Sequence, residues 1–328
     1  MTTEVLWISA NEIDQLGISM AEIMDAVETG FAAMGRGEGE MPAKIGIHPR
    51  ENSFTHAMPC YIGGGIDKAG VKCISGYPTN PAKGHPYITG IMLLTDPETG
   101  LPQAVMDAGW ITAWRTGAAS GVYARHFGTP DTESMSIVGT GVQARVNLLA
   151  MQAVFPKLNT VKCYGIREAS MDRFISDMQP QLPDATISKH ADLQEAVSDT
   201  DVLITCTPMV EHPERGILQS WLKESHLAIA VDYDSAIGED VFADAHFTCD
   251  NRNQYAWTQK QGVFFQNGYP LPDDIDADMG EICAGRKQGV REGKRGAVLM
   301  GIGSHDVMTA ALVYEHASVA GVGTKVEL

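Results

Sequence analysis

Behind Ser19-Met20-Ala21-Glu22, apolar residues recur as Ile23, Met24, Val27, Phe31 and Met34. This is the three-and-four spacing of a helix with one buried face. A serine followed three residues later by glutamate is a capping box, and Gly35 and Gly37 close the run. Downstream the pattern turns β-rich over 71–77 and 88–95. Asp96-Pro97-Glu98-Thr99-Gly100 then makes a turn, and a returning strand is predicted over 101–106. A run of alanines and other small residues predicts a helix over 109–127, broken by Gly128-Thr129-Pro130-Asp131. From Ser134 onward strands and helices alternate. Strands are predicted at 136–138, 161–164, 185–188, 202–206, 227–231 and 246–249, and helices at 142–154, 169–178 and 193–198. Such alternation predicts an α/β fold, a doubly wound parallel sheet with helices on both faces. An amphipathic helix is predicted over 306–320, able to cross back onto the first domain.

Within that alternation, Ile137-Val138-Gly139-Thr140-Gly141-Val142-Gln143-Ala144 places a glycine pair between a strand and a helix. Gly139 permits a tight turn, Gly141 lets backbone approach a pyrophosphate, and Ala144 lets helix and strand pack closely. The helix beyond offers unpaired N–H groups and partial positive charge to phosphates. Thr140, Val142 and Gln143 complete the candidate cradle. The run lies well inside the chain, so another domain is built before it.

Composition narrows the classes. The chain has 328 residues, 44% of them apolar, which fits a globular protein of about two domains. No apolar run reaches the roughly 18 residues of a bilayer crossing, and no leader pattern follows Met1. A formal net charge of -17 disfavours a nucleic-acid partner. The six cysteines show no Cys-x-x-Cys spacing and read as buried thiols in a reducing cytoplasm. The ten histidines show no metal-ligand spacing, and no metal is expected.

Several segments carry more than fold. In order they are Met58-Pro59-Cys60-Tyr61, Gly70-Val71-Lys72-Cys73-Ile74-Ser75, Tyr77-Pro78-Thr79-Asn80, Gly90-Ile91-Met92-Leu93-Leu94-Thr95-Asp96, Thr99-Gly100-Leu101-Pro102 and Thr112-Ala113-Trp114-Arg115-Thr116-Gly117-Ala118-Ala119-Ser120. Together they resemble the ornithine cyclodeaminase/mu-crystallin family, from about Met41 to the C-terminus. The resemblance implies a Rossmann domain inserted into an α+β substrate and dimerisation domain. The first would span 128–305, and the second 1–127 plus 306–328. It also implies a homodimer that transfers hydride at the α-carbon of an amino acid or its imine.

By this resemblance Arg115 matches the family's carboxylate-binding arginine, a role suited to a guanidinium's bidentate fork. Lys72, in an otherwise apolar strand, matches the lysine that contacts the substrate's carboxylate and nitrogen region. A lysine placed there needs a task or a partner. Lys44 falls where many relatives carry arginine; it keeps the charge and loses the planar fork. His48 and His56 flank it, as pocket-lining or as structural residues. Asp234, in Val231-Asp232-Tyr233-Asp234, matches the catalytic aspartate, with Asp232 the neighbouring alternative. The family's Gly-Ala before this aspartate is here Asp232-Tyr233, which predicts a reshaped pocket. Thr116, Thr205 and Thr207 are assigned to the cofactor. Asp306, a recurrent aspartate opening the last helix, is assigned to capping or packing.

An NAD-preferring domain ends its second strand with an acid for the ribose hydroxyl. Here that position is Gly165, with Arg167 close behind to pair a 2′-phosphate. NADP(H) is therefore expected over NAD(H); Glu168 is the residue that would restore NAD(H) if the acidic position lay further along. The function read from all this is an imine or ketimine reductase, or an amino-acid dehydrogenase. Two readings stay open beside it: an ornithine-type cyclodeaminase using NAD as internal redox partner, and a cofactor-bound protein that only binds a small ligand.

Overall fold

The computed structural model describes residues 3–210, 212–261 and 268–328. The chain divides into two compact units: residues 1–115 with 301–328, and residues 116–300. The division falls inside one helix, Ala108–Phe127, after Arg115.

The first unit is built on an eight-stranded sheet. Its order is Thr324–Glu327, Glu4–Ile8, Pro102–Asp107, Ile88–Thr95, Lys68–Gly76, Phe54–Ile62 and Gly39–Glu40, with Ile45–Ile47 also pairing Phe54–Ile62. All pairings are antiparallel except Glu4–Ile8 with Pro102–Asp107. The helix Met20–Arg36 starts on the predicted capping box: Ser19 accepts from the Glu22 N–H, and Glu22 accepts from the Ser19 N–H. Its apolar stripe of Ile23, Met24, Val27 and Phe31 is fully buried, worth roughly 1.5–3 kcal/mol per side chain. The last helix, Gly303–Ala320, packs on Met20–Arg36 and on the strands Phe54–Ile62, Lys68–Gly76 and Ile88–Thr95. Glycines set that approach. A Cβ on Gly30 would lie 2.8 Å from Met308 Cγ, and one on Gly303 would lie 3.0 Å from Cys60 Cβ.

The second unit is a wholly parallel eight-stranded sheet. The order is Thr186–His190, Thr160–Tyr164, Ser134–Val138, Val202–Thr205, His226–Ala230, Lys294–Val298, His246–Cys249 and Ala277–Asp278. The order reverses at Ser134–Val138, the strand that feeds the glycine run, as the doubly wound fold requires for a ligand crevice. The helices Val142–Val154 and Glu168–Met178 follow the first two strands of the crossover.

Some elements escaped the pattern reading. Lys294–Val298 is a central strand although it opens with two basic residues. Its Arg295 is buried and donates to the backbone carbonyls of His226, Gly293, Phe127 and Arg291. The last helix begins at Gly303 after an Ile302 cap, so Asp306 sits inside the first turns and does not cap it. The cysteine expectation also needs correction. All six are free, but only Cys60, Cys163 and Cys249 are buried; Cys206 and Cys283 are half-buried, and Cys73 is on the exposed face of its strand, where period-two alternation puts it opposite Lys72 and Ile74.

Candidate active site

Lys68–Gly76 is a strand with Lys72, Ile74 and Gly76 on its buried face. Lys72 is 0% exposed. An ammonium in that position requires an anion, and Asp306, brought down by the last helix, supplies it. Lys72 Nζ donates to Asp306 Oδ1 at 2.7 Å, and Arg115 Nε lies 2.9 Å from the same oxygen. Gly301, at φ 74°, makes room for the guanidinium: a Cβ there would lie 1.7 Å from an Arg115 terminal nitrogen. Lys44, also buried, donates to the Gly301 carbonyl at 3.3 Å. The three predicted substrate residues thus lie in one unit, Lys72 and Arg115 on a single aspartate and Lys44 on the Gly301 carbonyl beside them.

The surroundings are neutral. Burial pushes the Lys72 ammonium down to about 7; Arg115 adds like-charge repulsion, and Asp306 opposes both. Burial holds His56 down at about 3, with Lys44, His48 and Lys72 adding to the effect. The fully buried His305 is held well below its ordinary value by burial and by Arg115, Lys72 and Lys44. Its ring packs edge-on against Phe31, with centroids 4.3 Å apart. Burial lifts the Cys60 thiol to about 12. Asp306 is accordingly the missed residue of this cluster. The sequence signal for it was only an acid opening a helix, which is also what a cap looks like.

In the second unit the glycine run forms the predicted strand–turn–helix. Gly139 has φ 97°, and its N–H donates to the Tyr164 carbonyl at 2.9 Å. A Cβ on it would lie 2.5 Å from the Cys206 carbonyl oxygen, so glycine is obligatory there. Gly141 differs. It is the N-cap of Val142–Val154, with φ -84° and no side-chain cap, and a Cβ on it would meet nothing within 4 Å. The chain's own packing therefore does not demand glycine at 141. An anion brought close to the backbone would demand it, so the open N-terminus of this helix fits a dinucleotide pyrophosphate. Val142 and Gln143 form the first turn, and Ala144 is buried against the sheet side.

Arg145, not foreseen, braces the cradle. Its guanidinium donates to the carbonyls of Thr140 and Gly141, each at 2.9 Å, and to Asp177 at 2.6 Å. Thr116 is buried on the helix whose Gly117 lets Val146 approach; a Cβ there would lie 2.6 Å from the Val146 carbonyl oxygen. Arg167 and Ile166 are exposed beyond Tyr164, and Glu168 is ion-paired with Lys189 at 2.7 Å.

The two aspartates of Val231-Asp232-Tyr233-Asp234 have different partners. Asp232 accepts from Thr205 Oγ1 at 2.6 Å, Thr207 N–H at 2.9 Å and Thr207 Oγ1 at 2.6 Å. The threonines assigned to the cofactor thus spend their hydroxyl protons on Asp232, whose carboxyl burial raises above its usual range. Asp234, fully buried, is paired with Arg215 at 2.5 Å. That guanidinium lies 5.4 Å from the Tyr269 ring centre. Tyr233 between them takes φ 60°, the turn that sends the two carboxylates to separate partners.

The profile of the ornithine cyclodeaminase/mu-crystallin family matches residues 5–321. An alanine dehydrogenase from Archaeoglobus fulgidus is 32% identical over 331 residues, covering 99% of this chain and 98% of the relative. A Δ1-pyrroline-2-carboxylate reductase from Bacillus thuringiensis subsp. konkukian is 28% identical, covering 98% and 100%. Among solved structures, Thermococcus litoralis Δ1-pyrroline-2-carboxylate reductase in complex with NADH and L-proline superposes with TM-score 0.87 at 30% identity, covering 98% of this chain and 100% of that one. An archaeal alanine dehydrogenase dimer with bound NAD gives 0.85 at 30% identity, covering 99% of each.

Proposed function

The chain belongs to the ornithine cyclodeaminase/mu-crystallin family, and from that premise we propose that it is a nicotinamide-dependent oxidoreductase acting on a small α-amino acid or its imine. The observation that carries this reading is the buried set Lys44, Lys72 and Arg115: two of them meet one aspartate, and the third donates to the Gly301 carbonyl beside the Arg115 guanidinium. Such a set is built to take the acid group of a substrate.

The dinucleotide, when bound, supplies or accepts the hydride at the substrate α-carbon. The chain does the rest. Arg115 and Lys44 grip the carboxylate and fix the α-carbon's orientation. Lys72, about half charged near neutral pH, suits a group that both attracts the acid and exchanges a proton. Asp234, oriented by Arg215, holds the nitrogen's positive charge and carries its proton as imine and amine interconvert. Asp232 is committed to Thr205 and Thr207 and serves the strand ends.

The preferred cofactor in this reading is NADP(H). Gly165 leaves no carboxylate to repel a 2′-phosphate, exposed Arg167 can pair with it, and Glu168 is engaged by Lys189. The archaeal alanine dehydrogenase dimer supports a homodimer here. Six free cysteines suit a reducing cytoplasm.

The test is oxidation of NADPH and of NADH against pyruvate with ammonia or methylamine, pyrroline-2-carboxylate and piperideine-2-carboxylate, and ornithine with NAD. Stoichiometric loss of NADPH with an imine is expected. Consumption of ornithine with no net absorbance change would replace this reading by cyclodeamination, and tight NADPH binding without any turnover would replace it by ligand binding.

A further inference from the structure

We propose that Asp306 is a positioning residue of the carboxylate clamp: its single oxygen Oδ1 holds Lys72 and Arg115 beside one another, ready for a substrate carboxylate. The proposal rests on the clamp reading for its biological meaning, but its geometry stands alone.

One carboxylate oxygen accepts a hydrogen bond from Lys72 Nζ at 2.7 Å and is ion-paired with Arg115 Nε at 2.9 Å, while among the described residues Oδ2 has no hydrogen-bond partner. Asp306 is 0% exposed, so its charge is unscreened by water and acts on those two cations. The other groups that face Lys72 contribute no negative charge. Its neighbour strand Phe54–Ile62 offers His56 and Cys60, both neutral near pH 7. The last helix offers neutral His305 besides Asp306 itself. The Ala108–Phe127 helix offers Arg115, and Lys44 adds a further cation. Two of the groups around Lys72 repel its proton, and Asp306 retains it.

This arrangement differs from a plain structural salt bridge. A plain pair sets one cation against one carboxylate. Here one oxygen is divided between two cations, so neither cation is fully neutralised. The incoming acid completes the balance and meets two cations already held against the same oxygen. Asp306 thereby acts through Lys72 and Arg115 and does not touch substrate.

The direct test follows the Lys72 side chain in the whole protein by NMR of ¹³C-labelled lysine, assigned by difference from Lys72→Met. In the unsubstituted protein Lys72 titrates near neutral pH. In Asp306→Asn the midpoint falls by about one pH unit or more, tenfold or more in proton affinity, because an opposite charge within hydrogen-bond distance is gone. Asp306→Glu restores most of it. Arg115→Gln moves the midpoint the other way, upward, since it removes a repelling cation and leaves Asp306 to the lysine alone. This second variant decides the matter if Asp306→Asn does not fold. A Lys72 midpoint that moves in neither Asp306→Asn nor Arg115→Gln overturns the proposal. The outcome is read without substrate, so a failure of the proposed reaction leaves this test intact. For any imine that is turned over, the pH profile of kcat/KM in Asp306→Asn shifts in the same direction as the NMR midpoint. A fall in kcat/KM with an unshifted profile would mark Asp306 as merely structural.

Discussion

Gly141→Ala separates what the fold needs from what the ligand needs. The backbone at 141 has φ -84° and ψ -159°, an extended conformation open to alanine, and a Cβ there meets nothing within 4 Å. Loss of unfolded-state freedom favours the alanine by about 0.4–1 kcal/mol. Alanine is poorer than glycine at an N-cap by a similar amount, about 0.5–1 kcal/mol, so the two effects offset. Stability should therefore stay within about 0.5 kcal/mol of the parent. Binding should not. A methyl group on this residue stands where phosphate oxygens approach the backbone, and each lost hydrogen bond to a charged group costs about 1.5–3 kcal/mol, or roughly 10- to 150-fold in Kd. Gly139→Ala is the contrasting control. Its φ of 97° and a Cβ 2.5 Å from the Cys206 carbonyl oxygen strain the fold itself, by about 2–3 kcal/mol or more. Urea unfolding and NADPH fluorescence titration read the two quantities independently. If Gly141→Ala bound NADPH within about twofold of the parent, the cradle assignment would be wrong, because a shift that small is under about 0.5 kcal/mol.

Three further outcomes are expected. Affinity for a substrate acid should decline as pH rises through about 7, because Lys72 loses its charge there and the clamp loses one cation; calorimetry of acid binding across pH 6–9 measures it, and a flat profile argues against a role for Lys72 in holding the acid. Arg215→Ala should destabilise the protein by about 3 kcal/mol, the lower end for breaking a buried pair since the guanidinium is 16% exposed, and should cut kcat/KM while Arg215→Lys recovers part of it; unchanged melting and turnover would separate Arg215 from Asp234 function. Gly165→Asp should weaken NADPH by about tenfold or more through like charge and spare NADH, with Thr140 Oγ1, 3.1 Å from the new Cβ, rotating to make room; equal loss for both cofactors would point to a packing effect.

What the sequence could reveal follows the range of the interactions involved. The glycine run and its helix are local: strand, turn and helix follow one another directly over 134–154, and the predicted helix over 142–154 matches Val142–Val154. Lys72 was legible because a charge interrupting an apolar strand is a local anomaly, and Arg115 because its neighbours carry a motif. Asp306 was not legible in the same way. Its meaning comes from a lysine 234 positions earlier, and its own surroundings read as an ordinary helix start. Arg215 lies in a loop with no periodicity, and its partners Asp234, Glu239 and the Tyr269 ring are all 19 or more positions further along the chain. Lys294–Val298 was hidden by the opposite effect: Arg295 looks like a surface residue until the carbonyls that receive its protons are in place. Asp306, Arg215 and Arg295 are charges held away from solvent, and each has a partner that only the folded chain brings near. A buried charge without its partner would be expelled to solvent or neutralised, so pattern reading assigns it to the surface by default. The departure from the family's Gly-Ala at Asp232-Tyr233 was visible as a change, yet its consequence was not. The positive φ of Tyr233 is what sends two neighbouring acids to different partners, one to Thr205 and Thr207 at the strand ends and the other to Arg215.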